Sequence, residues 1–272
     1  MGYLDELFGL KGKVALVTGG SSGIGAMICE SLVRAGAHVM LASRKGERCE
    51  AMAEQLNALG ASGSAEGFAG DVGSENSILA LAEAVKSRTG KLDILFNNAG
   101  VTWGATMAEF PHEQWARTMA VNVAGIFTLT RELLPLLEAA ASEADPARII
   151  NIGSVMGTLP VAEGAYAYTA SKGAVHHLTK TLAGELAAKH ITVNAFAPGP
   201  FPSKMTAFAT ASEEGAAKVG ANVPLGRIGN AEDIAAATLY LCGRGGAYVS
   251  GAILPLDGGM SVEAHVSLFA NL

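Results

Sequence analysis

A chain of 272 residues, half of them hydrophobic and only 16% charged, is long enough to bury one large α/β core and short for two independent ones. That balance argues against a disordered chain. A formal net charge of −6, with no basic cluster beyond Arg44, Lys45 and Arg48, argues against a nucleic-acid partner, since phosphate contacts need grouped cations. Cys29, Cys49 and Cys242 stand apart without CxxC spacing, and the adjacent His176 and His177 point to different sides of a helix. Neither a disulfide framework nor a metal site is expected, and a reducing cytoplasm fits. The N-terminal residues lack the features of a signal peptide, and no uninterrupted apolar run approaches a membrane span. A cytoplasmic protein without a membrane partner is the expectation.

In chain order, short apolar runs alternate with longer amphipathic ones. Residues 13–18 (KVALVT) read as a buried strand and 23–35 as a helix; 38–42 read as a strand and 47–59 as a helix. A weaker strand at 65–69 leads to a helix over 75–89. Strands follow at 92–96, 148–152, 191–196 and 252–256, with long helices over 113–140 and 165–189 between them. Continuous apolar strands alternating with helices predict a single-domain, doubly wound parallel sheet (a Rossmann fold) with helices on both faces, spanning 1–272. Ligands of such sheets bind beyond the carboxyl ends of the strands. The least regular stretch, 201–227, is the candidate for a substrate lid.

The first strand runs into Thr18-Gly19-Gly20-Ser21-Ser22-Gly23-Ile24-Gly25 and then a helix. Glycines at a first strand–helix turn let the backbone approach a pyrophosphate seated on the positive helix N-terminus. Further along, Tyr168 and Lys172 are four residues apart, so on a helix they share one face and the ammonium can stabilise a phenolate. Tyr166 has only Ala170 at that spacing. Asn122 is embedded in apolar Met119–Ala124 surroundings, and a buried amide needs partners, so it points to a polar network.

With Asp71 after the third strand, Asn97-Asn98-Ala99-Gly100 after the fourth, Ser154 after the fifth and Pro198-Gly199 after the sixth, this order resembles the short-chain dehydrogenase/reductase family over residues 11–259. Locally, NNAGVTWGA, PARIINIGSVMG, AYAYTASK and PGPFPSKM resemble the branch holding rhamnolipid-type β-ketoacyl reductases and gluconate 5-dehydrogenase-like enzymes. The resemblance implies a hydride transfer between a nicotinamide and a ketone or secondary alcohol. Asn122, Ser154, Tyr168 and Lys172 would be catalytic: Tyr168 the proton carrier, Lys172 lowering its pKa and holding the ribose, Ser154 orienting the substrate oxygen, Asn122 holding a water. Cofactor contacts would come from Gly19, Ser21, Ser22, Gly23, Ile24, Gly25, Ser43, Arg44, Asp71, Val72, Asn98, Ala99, Gly100, Tyr168, Lys172, Pro198, Gly199, Phe201 and Ser203. Ser43 and Arg44, where NAD enzymes of the family commonly carry an acid, favour NADP(H) over NAD(H), although Ser22 lacks the positive charge some NADP enzymes have there. Ser154 and Tyr168 stand about one residue further apart than in many members, which bears on pocket shape.

Trp103, Met156, Leu159, Val161, Met205 and Phe208 fall in segments that border the substrate in the family, and their apolar character suits a lipophilic or β-keto substrate. A homotetramer is implied by the same resemblance. Two other readings share the motifs: an NAD-linked catabolic alcohol or sugar-acid dehydrogenase, and a catalytically silent nucleotide-binding regulator.

Overall fold

The computed structural model describes residues 2–160 and 164–262. Val161 and the chain beyond 262 therefore lie outside the described residues. After a short helix α1 (Tyr3–Phe8), the chain runs β1 (Val14–Thr18), α2 (Gly23–Arg34), β2 (His38–Ser43), α3 (Gly46–Asn57), β3 (Ser64–Ala69), α4 (Glu75–Lys86) and β4 (Ile94–Asn97). The second half comprises α5 (Glu113–Met119), α6 (Gly125–Ala140), β5 (Ala147–Ile152), α7 (Tyr166–Leu186), β6 (Ile191–Pro198), α8 (Ala207–Thr210), α9 (Glu213–Gly220), α10 (Ala231–Cys242) and β7 (Ile253–Leu256). The strands form one seven-stranded sheet in the order β3-β2-β1-β4-β5-β6-β7, every neighbour parallel. The expected doubly wound sheet is present, with the ends of its strands and most helices shifted by up to three residues.

Alternation along the central strands explains the two layers. Ala15 and Val17 of β1, with Ile94 and Phe96 of β4, meet Ile28 and Leu32 of α2 and Ile234 and Leu241 of α10. Leu16 and Leu95, pointing the other way, meet Leu81 and Val85 of α4, Leu129 and Leu133 of α6, and Leu182 and Leu186 of α7. Both faces of each strand are thus covered, which is why these strands read as continuous apolar runs. Each fully buried leucine contributes roughly 2 kcal/mol of transfer free energy.

Three departures are informative. The helix expected over 113–140 is broken in its hydrogen bonding by a π-helical turn at Ala120–Ala124, which carries the buried Asn122. That stretch, Glu113–Ala140, interrupted by Arg117, Arg131 and Glu132, is by length and composition alone apolar enough to cross a membrane, as core helices can be. Its Leu129, Leu133 and Leu137 are fully buried beneath the sheet. Helix α10, absent from the sequence reading, starts at a capping box in which the Asn230 side chain accepts from the Glu232 and Asp233 amides and Asp233 reaches back to the Asn230 amide. The stretch 201–227 is not irregular throughout, since it holds α8 and α9.

Candidate active site

Beyond the carboxyl ends of β1, β2, β4, β5 and β6 lies a cleft of about 900 Å³. Its floor is built first from backbone. Thr18, the last residue of β1, accepts from the Asn98 and Ala99 amides at 3.0 and 3.1 Å through its hydroxyl oxygen. Asn98 returns the tie, its side-chain Nδ2 donating to the Thr18 carbonyl at 2.8 Å. The glycine turn is thereby locked to the end of β4. Gly19 has φ +68°, and a methyl there would fall 2.9 Å from Asn98 Nδ2; Gly23 has φ +56°, and a methyl would fall 3.0 Å from Ser203 Cβ. Only glycine accommodates both the left-handed backbone and the close approach. The turn delivers the N-terminus of α2, whose N-cap Ser22 makes no side-chain cap bond, to the cleft. Free helix amides with a positive dipole end suit a pyrophosphate.

Ser21, Ser22, Gly23, Ile24, Ser43, Arg44, Val72, Asn98, Ala99, Gly100, Pro198, Gly199, Phe201 and Ser203, all expected as cofactor contacts, line this cleft together with Ser154, Tyr168 and Lys172. Gly25 and Asp71 do not line it. Gly25 is buried, and a methyl there would press on Asn98 Nδ2 at 2.5 Å, so it serves the packing of helix on turn. Asp71 turns its carboxylate to the Gly73 amide at 3.1 Å. Lys45, Arg48, Arg117, Lys204 and Thr206 also line the cleft. Lys45 and Arg48 extend the basic cluster visible in the sequence; nothing in local spacing marked Arg117, which α5 brings to the cleft.

At the other end, Tyr168 and Ser154 both line the cleft, with Ser154 near enough to the Tyr168 hydroxyl to affect its pKa, and Ser154 Oγ accepts from the Met156 amide at 3.2 Å. Lys172 Nζ sits 5.4 Å from the Tyr168 ring centroid and donates to the Ile152 carbonyl at 2.6 Å. Asn122 is buried behind Gly100. Its Oδ1 accepts from the Val101 amide and its Nδ2 donates to the Val101 carbonyl, both at 2.9 Å, with Ser171 Oγ at 3.0 Å as a further acceptor. The expected polar network is therefore there, but it fastens the Gly100–Val101 loop. A methyl on Gly100 would lie 3.5 Å from Asn122 Oδ1 and 3.8 Å from Lys172 Nζ, so Asn122, Gly100 and Lys172 adjoin.

The electrostatics differ from the sequence expectation at one point. Burial lowers the Lys172 pKa to about 8, because a charged ammonium loses its hydration. The Tyr168 pKa is raised, not lowered: burial dominates, and the neighbouring Ser154 side chain opposes it only in part. Lys172 spends its closest contact on a carbonyl, so the protein alone holds Tyr168 as the neutral phenol.

The apolar candidates divide. Met205 lines the cleft. Met156 and Leu159 line a separate apolar pocket of about 650 Å³ with Met107, Phe110, Trp115 and Tyr166, so they are not part of the cleft. Trp103 lines neither, and Phe208 is 93% exposed on α8. Val161 is outside the described residues.

With this geometry in view, the short chain dehydrogenase family model matches residues 13–214. The chain belongs to that family. A rhamnolipids biosynthesis 3-oxoacyl-[acyl-carrier-protein] reductase of Pseudomonas aeruginosa is 44% identical over 94% of this chain and 99% of its own. Among solved structures, a Pseudomonas aeruginosa RhlG/NADP active-site complex superposes with a TM-score of 0.89 at 44% identity, covering 94% of this chain and 99% of that one. A gluconate 5-dehydrogenase from Burkholderia cenocepacia J2315, in complex with NADP and tartrate, gives a TM-score of 0.86 at 29% identity, covering 97% and 100%. This short-chain dehydrogenase thus shares fold and length with oxidoreductases of both kinds expected from the sequence. Its glycine turn, free helix amides and basic rim fit a phosphorylated dinucleotide.

Proposed function

We propose that the chain is, over its whole length, a single cofactor-binding catalytic domain: an NADP(H)-dependent carbonyl reductase for a lipophilic or β-keto substrate. One observation carries the reading. A single cleft has Ser43, Arg44, Lys45 and Arg48 at one end and the neighbouring Ser154 and Tyr168 with Lys172 at the other. A 2′-phosphate needs cations and hydroxyls of that kind, where an aspartate would repel it. The relative that is 44% identical is named a 3-oxoacyl-[acyl-carrier-protein] reductase, and its β-keto class suits the apolar Met205 wall.

The bound nicotinamide supplies the hydride. Tyr168 holds the proton that the carbonyl oxygen must receive, at its hydroxyl, in the neutral state that burial favours. Ser154 orients that oxygen by hydrogen bonding beside the Tyr168 hydroxyl. Lys172, held by the Ile152 carbonyl, presents a positive charge that stabilises the phenolate left after transfer. Asn122 fixes the Gly100–Val101 loop against Lys172.

Exposed Trp115 and Phe127 on α5 and α6, and Tyr240 on α10, are consistent with burial between copies in a homotetramer. The free, buried Cys29, Cys49 and Cys242 suit a reducing cytoplasm. Titration with NADPH and NADH separately, followed by NADPH oxidation with β-ketoacyl thioesters and β-keto esters, tests the reading. Tighter NADPH binding with ketone-dependent oxidation supports it. Preference for NADH would favour the catabolic dehydrogenase, and NADPH binding with no turnover would favour the regulator.

A further inference from the structure

Behind the Ser154 turn stands a group that none of these roles uses. His176 follows Lys172 by one turn of α7 and is only 8% exposed, and among the described residues its Nε2 has no hydrogen-bond partner. Its ring lies against two glycines that bracket the turn. A methyl on Gly153 would lie 2.7 Å from His176 Cδ2, and a methyl on Gly157 would lie 2.6 Å from His176 Cε1. Between those glycines run Ser154, Val155 and Met156, the 3₁₀ turn whose first side chain meets Tyr168. The turn is also held by the Gly153 amide donating to the Phe196 carbonyl at 2.8 Å, by the Gly157 amide donating to the Ser154 carbonyl at 2.9 Å, and by the α7 backbone at Lys172, which a methyl on Gly157 would meet at 2.8 Å.

We propose that His176 is a positioning residue: its neutral ring, seated between Gly153 and Gly157, sets the Ser154 hydroxyl at Tyr168, and its protonation switches the site down. The inference rests on the reductase reading for its catalytic consequence but not for its structural one. Two glycines at the contact leave no side chain to replace the ring if it is removed, so the turn would settle into the vacated space. An ångström of misplacement at a reacting group costs on the order of a hundredfold in rate.

The switch follows from what surrounds the ring. On its own helix, Lys172 and Lys180 are cationic and disfavour a second positive charge, and burial acts in the same direction, so the His176 pKa is lowered below 6.5. His177 lines the adjoining cavity of about 470 Å³ with Lys180. From the segment after β7, Asp257 faces that cavity as its carboxylate, but both oxygens are engaged, by the Gly259 amide at 2.9 Å and the Ser261 amide at 2.8 Å. The residues that β6, β7 and the Ser154 turn bring to the cavity, Ala197, Ile253, Pro255, Val155 and Thr158, carry no charge. Among the described residues, protonated His176 would thus gain no free anion, and it would repel Lys172.

The test compares His176→Ala and His176→Gln with the wild type by amide hydrogen exchange of the 153–157 peptide, NADPH affinity and the pH dependence of ketone reduction. Exchange at 153–157 is expected to quicken several-fold in His176→Ala and to return towards the wild-type rate in His176→Gln. NADPH affinity should stay within about twofold in both. The Ala variant should lose about ten- to a hundredfold in kcat, and the Gln variant, an uncharged filler, should recover most of it and lack the acid-side fall that the wild type shows below pH 6.5. Unchanged exchange in His176→Ala overturns the proposal, as does a Gln variant with the wild-type acid limb. Because exchange is read without turnover, a wild type that reduces no ketone would sink the reductase reading and leave the positioning role judged on exchange alone.

Discussion

The two ends of the cleft are built differently. The end that takes the phosphates is built around backbone, with two glycines at positive φ and an uncapped helix N-terminus on a turn locked by the Thr18 and Asn98 side chains, and Ser43, Arg44, Lys45 and Arg48 at its rim. The end that would take the substrate is made from side chains on separate segments, and these scatter. Met205 reaches the cleft, Met156 and Leu159 face another pocket, and Phe208 faces solvent. A site made of backbone tolerates little change and recognises what all members of a family share. A site made of side chains from distant segments is free to vary, and it sets which ketone is bound.

That contrast can be broken most severely at the junction of the two ends. Tyr168→Phe removes the transferable proton and should cut kcat by on the order of 10³-fold with NADPH affinity preserved; comparable losses of binding and turnover would mean that the tyrosine holds cofactor instead. Lys172→Met should abolish turnover to a similar degree without lowering the melting temperature. Lowering the lysine pKa from 10.5 to about 8 means that keeping it charged at pH 7 costs roughly 3 kcal/mol. The Ile152 carbonyl left unpaired by the substitution costs about 1–3 kcal/mol, which offsets that gain. A clear fall in melting temperature would show that the ammonium is not strained by burial.

The same group gives a pH test. The folded pKa lies below the unfolded one, so the stability contribution of a neutral Lys172 is present above about pH 10.5 and is lost as pH falls through about 8. Ketone reduction should run the other way, declining above pH 8 as the cation that stabilises the phenolate disappears; a profile level to pH 10 would contradict this. At the basic rim, Arg44→Ala should weaken NADPH about tenfold or more and leave NADH unchanged, the loss of one charge-assisted hydrogen bond to phosphate. The smallest effects belong to the substrate end. Met205→Ala should alter KM several-fold for long acyl substrates, whereas Phe208→Ala, exposed on α8, should stay within about twofold.

This division also governs what could be read from the sequence. The sheet was legible because both faces of its central strands are buried, and the phosphate turn because its glycines are contiguous. Ser154, Tyr168 and Lys172 were legible through their order along the chain and, for the last two, their helical spacing. The π-helical turn at Ala120–Ala124 was not, since AVNVA is equally at home in an α-helix and only the demand that Asn122 reach Val101 reveals it. Helix α10 did leave a signal, Asn230 three residues before Asp233, that periodicity alone passes over. The raised Tyr168 pKa was out of reach because it depends on burial, and the i+4 spacing says nothing of where Lys172 Nζ finds its bond. Arg117 and the parting of Met156 from the cleft depend on tertiary placement alone.

The most direct measurement is a single-turnover one: enzyme saturated with NADPH is mixed with a β-ketoacyl thioester, and the absorbance of the reduced nicotinamide is followed for the wild type and for Tyr168→Phe. A rapid wild-type decay, slowed on the order of 10³-fold in a variant that still binds NADPH, is the predicted result. A wild type that binds NADPH yet transfers no hydride to any ketone offered, or a Tyr168→Phe protein as fast as the wild type, would contradict the assignment of this cleft as a carbonyl-reducing site.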